Sequence, residues 1–201
     1  MSRSPLYTPA DFAADPGIGW QIVREQPFGL LLLPEGGIAP LPLLCDESSH
    51  ELRGHLARAN PASSVPDGSD VTVLFLGPHA YVSPTWYASP REQVPTWNYV
   101  FVRMSGTLTW LASADTRLVL DDLCARFEEP GGYSPAAVDP AQMDAMLHAI
   151  SGFRIRVHDV QAKLKLSQNR SPEDRERVRR HFERGPAPGP GLAAWMARTT
   201  R

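Results

Sequence analysis

The sequence predicts a mostly β domain, a β-barrel with flanking helices. Three observations carry that expectation. Many short apolar segments are bounded by turn signals, as at Phe28–Leu33, Val71–Leu76 and Asn98–Met104. Glycine (15) and proline (20) are dispersed through the chain without a repeat, above the roughly 12% usual for the two together. Helical spacing comes in separate blocks and does not alternate with strands, which argues against a doubly wound parallel sheet.

Taken in order, Pro9–Gln26 reads as a helical start with Phe12, Ile18, Ile22 and Val23 facing inward, interrupted by Pro16-Gly17. Phe28–Leu33 and Ile38–Cys45 flank Glu35-Gly36-Gly37 and read as a hairpin. Pro40 and Pro42 lack the N–H that a central strand uses, so the second arm belongs at an edge or a bulge. Glu51–Leu56 is a third strand, and VTVLFL at Val71–Leu76 is the clearest β segment. Gly77-Pro78 is expected to break it before Ala80–Ser83 resumes. Asn98–Met104 and Thr107–Leu111 flank Ser105-Gly106, a tight-hairpin signal.

Asp115–Glu128 has helical spacing through Leu118, Leu120, Leu123 and Phe127. Asp139–Ser151 is a second helix, with Asp139 as its cap and Pro140 at its first position. Phe153–Val157 alternates strictly and reads as one more strand. Ser171-Pro172 opens a charged helix over Glu173–Arg184, residues 185–191 form a linker-like turn, and Leu192–Arg198 is a short terminal helix. The expected division is residues 1–184 for the barrel with its helical insertions and 185–201 for the linker and a terminal helix packing on it.

Composition narrows the function classes. Hydrophobic and charged residues stand at 42% and 21%, ordinary globular values. The net charge of −2 shows no overall basic face of the kind that grips a phosphate backbone. Residues 154–184 are locally basic, with ten Lys/Arg against five Asp/Glu, which suits a solvated helix face as well as a nucleic-acid contact. No helix-turn-helix segment is visible. Cys45 and Cys124 are too far apart for a metal or redox motif, and the six histidines show no metal spacing. Dinucleotide, P-loop and nucleophile-elbow motifs are missing. With no apolar leader and no run long enough to span a bilayer, the expected location is cytoplasmic and away from membranes.

Three stretches are denser in polar and aromatic residues than a barrel core needs: RGHLARANP at 53–61, GPHAYVSPTWYASPREQVPTWNY at 77–99, and KLKLSQNR at 163–170. Together they offer cations and hydroxyls suited to a phosphate, flat aromatic walls, and amides suited to the polar edge of a ring. The same tryptophans and tyrosines also suit a core or a subunit interface, and Asn169 with Ser171 suits helix capping.

On these residues the chain resembles the PaiB-type family of FMN-binding negative transcriptional regulators. The matching segments are Tyr7-Thr8-Pro9 with Phe12, GHLARANP at 54–61, GPHAYVSPTWY at 77–87, VPTWNY at 94–99 and KLSQNR at 165–170. The resemblance implies a split β-barrel of the pyridoxamine-phosphate-oxidase-like FMN-binding type, a homodimer, and FMN as cofactor. It points to Arg58, Asn60, Ser83, Thr96, Trp97, Asn98, Lys165 and Gln168 as flavin-lining residues. Arg58 or Lys165 would meet the phosphate, Ser83 and Thr96 would add hydroxyls, Trp97 would wall the ring, and Asn98 or Gln168 would meet its polar edge. The chain departs from the family pattern at Ala39-Pro40-Leu41-Pro42, where a Thr-His-Leu-Pro-like stretch is usual. Three readings stay open: a flavin-binding regulator with DNA among its partners, a flavin-dependent oxidoreductase with His55, His79 and Tyr81 to test as acid or base, and a flavin-less barrel for another planar ligand such as haem.

Overall fold

Strand-forming residues build a single sheet in the computed structural model, which describes residues 6–199. Its strands are β1 (Ala13–Ala14), β2 (Phe28–Leu32), β3 (Ile38–Pro42), β4 (Leu44–Asp46), β5 (Glu51–Ala57), β6 (Asp70–Val82), β7 (Thr96–Trp110) and β8 (Ile150–Lys165). They are ordered β3-β2-β6-β7-β8-β5-β4, with β1 paired to β8. The pairs β1–β8, β2–β3, β2–β6, β4–β5 and β5–β8 are antiparallel. Among the described residues, five α-helices flank the sheet: α1 (Pro16–Glu25), α2 (Ser113–Phe127), α3 (Pro140–His148), α4 (Pro172–Arg184) and α5 (Gly189–Arg198). The mostly β class with flanking helices is therefore the observed one.

Several local expectations are met for the expected physical reasons. β3 is the outermost strand, and its prolines pair in register as Leu30↔Pro40 and Phe28↔Pro42. The Asp139 carboxylate accepts from the N–H groups of Ala141 and Gln142, and Ser171 Oγ accepts from Asp174 N–H, so both caps work as read.

Other expectations fail at particular residues. Pro16-Gly17 opens α1 and does not interrupt a longer helix. Proline at the first helical position gives up an N–H that has no partner there anyway, and Asp15 O accepts from Ile18 N–H at 3.0 Å. Gly77-Pro78 lies inside β6 and Ser105-Gly106 lies inside β7, so neither is a turn. At both places glycine is needed for close approach. A Cβ on Gly77 would stand 3.0 Å from Val100 Cβ, and one on Gly106 would collide with Arg156 O and come within 2.6 Å of Ile155 Cγ2. β8 runs well beyond Phe153–Val157, continuing its alternation with Ala162 and Leu164 buried and Lys163 and Lys165 half-buried. α5 begins inside the stretch expected as a linker, because a Cβ on Gly189 would lie 2.6 Å from Phe182 O and glycine lets the two helices meet.

The chain folds into two compact units. One comprises the residues up to Gly19, Leu76–Val102 and the residues from Gln161 on; the other comprises Trp20–Phe75 and Arg103–Val160. In the first, Val82, Val100, Val102, Leu164, Leu166, Val178 and Leu192 are fully buried or nearly so. In the second, Ile22, Val23, Leu31, Leu52, Val73, Phe75, Leu108 and Phe153 are. In α4, Arg177 pairs with Glu173, Arg179 with Glu176 and Glu183, and Arg180 with Glu176. Those three arginines of the basic segment are thus matched along their own helix. Among the described residues, no helix is long and apolar enough to cross a membrane, and no group of three or more His, Cys, Asp or Glu is placed to hold a metal.

Candidate functional site

Strand alternation builds the open face of the first unit. In β7, Asn98, Val100 and Val102 point into the core, leaving Trp97 and Tyr99 on the opposite face. In β8, Ala162 and Leu164 are buried, leaving Lys163 and Lys165 on the opposite face. The Lys165 ammonium donates to Thr96 Oγ1 and to the Trp97 carbonyl, the latter at 3.1 Å. Lys163 Nζ donates to the Tyr7 carbonyl at 2.8 Å and stands 5.6 Å from the centre of the Tyr99 ring. Trp97 is 52% exposed, with the His79 and Tyr81 rings 6.3 and 6.4 Å from its own.

The charge on this face is unbalanced. Lys163 and Lys165 bond only to carbonyl or hydroxyl oxygens, and among the described residues neither has a carboxylate partner. Partial burial, with the like charges of Lys163 and Arg170, pulls the Lys165 pKa below the ordinary lysine value. Cations held together without a counter-charge make a site for an anion, and the hydroxyl of Thr96 adds a further polar group suited to phosphate.

The remaining expected residues have other engagements. Asn98 is buried, its amide exchanging hydrogen bonds with Ser167 Oγ at 3.0 and 3.2 Å. Gln168 turns its amide back on β8, accepting from Leu166 N–H and donating to Leu164 O, around a Ser167 held at φ 64°. Ser83 caps a short 3-10 turn, with its Oγ 2.8 Å from Thr85 Oγ1. Thr96, Trp97 and Lys165 are therefore brought together with groups facing outward, while Asn98 and Gln168 shape the backbone beneath them. Arg58 and Asn60 belong to the other unit. There Arg58 donates to the His148 and Ile150 carbonyls, and Asn60 caps a turn by accepting from Ala62 N–H.

A cavity of about 640 Å³ also lies in that other unit and is lined by Asn60, Leu33, Ile38, Pro61 and Val65. Among the described residues its only charged lining residue is Glu35, the wrong sign for a phosphate. Lys163 and Ser167 were not among the expected lining residues. The i, i+2 spacing of Lys163 and Lys165 was the available signal for the first, since it places both lysines on one face of a strand.

The sequence matches the family described as "Putative FMN-binding domain" over residues 6–159. It is 37% identical over 164 residues to the Protease synthase and sporulation protein PAI 2 of Bacillus subtilis, covering 77% of this chain and 78% of that protein. The chain belongs to this FMN-binding family. Its cofactor is FMN, and the donor set on β7 and β8 fits that cofactor, with cations for the phosphate beside an exposed indole for the ring. Solved structures support the fold. The flavocytochrome Anf3 from Azotobacter vinelandii superposes with a TM-score of 0.63 at 12% identity, covering 87% of this chain and 79% of that one. The FAD and heme binding protein from Mycobacterium smegmatis does so with a TM-score of 0.56 at 17% identity, covering 80% and 76%.

Proposed function

We propose that FMN binds on the open face of β7 and β8, with Lys165 and Lys163 at its phosphate, the Thr96 hydroxyl beside them and Trp97 against the isoalloxazine ring. The observation that carries this reading is the group of cations without a carboxylate partner beside a half-exposed tryptophan. His79 and Tyr81 would steady the indole from its flanks. Asn98 and Gln168 act as positioning residues, fixing the turn after β8 so that Lys165 keeps its aim. Ser83 holds the neighbouring loop, while Arg58 and Asn60 are engaged with backbone groups of their own unit. FMN supplies redox chemistry when bound, and the chain supplies binding, orientation and one covered ring face.

The working form we infer is a cytoplasmic homodimer with a regulatory role. Support for a regulatory role comes from the relative named for protease synthesis and sporulation. Support for self-association comes from exposed apolar side chains: Tyr81, Val94 and Trp97 in one unit, and Phe28, Leu30 and Ile38 in the other. Flavin titration into the purified chain tests the cofactor site. FMN should bind with quenched flavin fluorescence, and Trp97→Ala should weaken it. Uptake of haem with a Soret band and no uptake of FMN would contradict the reading.

A further inference from the structure

The first unit holds a second group of arginines beyond the cofactor face. The loop after β8, the start of α4 and the end of α5 enclose a cavity of about 260 Å³ whose lining includes Gln168, Arg170, Pro172, Arg175, Arg179 and Met196. Its one carboxylate, Glu176, is already engaged, since both oxygens accept from Arg179 and one also accepts from Arg180. Arg179 is further paired with Glu183. Arg170 and Arg175 have no such match. Arg175 Nη2 donates to the Met196 carbonyl at 2.9 Å and to Thr199 Oγ1 at 2.8 Å, while its Nε is buried without a hydrogen-bond partner. Arg170 donates to the Gln93 side chain and lies 5.1 Å above the Tyr87 ring, whose buried hydroxyl also lacks a partner.

Withdrawing a guanidinium from water without a counter-charge is unfavourable, and burial accordingly pulls the Arg175 pKa down. Two guanidiniums with only neutral partners leave a charge of about +2 at one small cavity. That charge matches a phosphate dianion, whose oxygens accept from guanidinium forks. Gln168 contributes shape more than bonding, because its amide is turned onto β8. A second anion here would also offset the repulsion that Arg170 exerts on Lys165.

We propose that this cavity is a second anion site, taking the phosphate group of a small phosphorylated ligand through Arg170 and Arg175. The inference rests on the cofactor reading only in counting Lys163 and Lys165 as a separate phosphate site. Calorimetric titration of inorganic phosphate into the full chain tests it. The FMN-saturated protein should bind one phosphate per chain, and Arg170→Gln should weaken that binding about tenfold or more, as loss of a charge-assisted bond predicts. Without FMN the chain should bind two phosphates, one lost in Lys165→Met and the other in Arg170→Gln. Arg175 also holds the end of α5, so Arg170→Gln, which removes only a side-chain hydrogen bond to Gln93, is the deciding variant, with an unchanged melting temperature as its control. No phosphate on the FMN-saturated chain would overturn the second site and leave the cofactor reading intact. Succinate binding as tightly as phosphate would overturn the phosphate assignment. If FMN fails to bind at all, the cofactor reading falls, and the Arg170→Gln effect on the unloaded chain still decides this one.

Discussion

Adjacent residues in β7 have opposite duties. Trp97 is half-exposed and makes edge contacts with Tyr81, so Trp97→Ala should change stability by about 1 kcal/mol or less while weakening FMN. Asn98 is buried against Ser167, and Asn98→Ala would strand that hydroxyl, lowering stability by about 1–3 kcal/mol. Thermal melts and flavin titrations on both variants separate the two roles; a large stability loss in Trp97→Ala would make it a core residue. Lys165 gives a pH signature. In the proposed site its protonated form would bind the phosphate, and its pKa in the unloaded chain is already depressed. The ratio of FMN to riboflavin affinity should therefore hold at neutral pH and begin to fall before the pH reaches the ordinary lysine value of about 10.4. The segment KLSQNR advertised a site, but not which of its side chains face outward. Gln168 has the chemistry for a flavin edge, yet it bonds its own strand, and no periodicity in the sequence distinguishes those two uses.

At the scale of elements, the strands and helices were legible wherever period and caps agreed, as in the β2–β3 hairpin with its edge prolines and in the capped α3 and α4. They were illegible where a glycine had two possible meanings. Ser105-Gly106 carries the composition of a tight turn, but Gly106 exists so that the Arg156 backbone can come close, a long-range contact that local sequence does not encode. Gly106→Ala should accordingly lower stability by about 1–3 kcal/mol through overpacking between β7 and β8. Chemical denaturation measures it, and a neutral result would contradict the need for close approach at Gly106. The linker-like 185–191 stretch misled for the same reason, since Gly189 serves the meeting of α4 and α5.

For the whole molecule, the barrel class followed from the distribution of strands and punctuation, whereas the cofactor did not follow from composition, because any polar cleft offers the same residue types. The family match supplied FMN, and the unmatched cations of β8 carry the proposal of where it binds. The exposed apolar side chains of both units predict association, so light scattering should give twice the chain mass of 22.1 kDa at micromolar concentration. A clean single-chain mass would contradict that. If Lys165 holds the flavin phosphate, titrating FMN and riboflavin against wild type and Lys165→Met separates the phosphate contact from the ring contacts. The variant should lose roughly ten- to hundred-fold in FMN affinity and little in riboflavin affinity, the loss expected for one charge-assisted contact. Equal losses for the two flavins would contradict it.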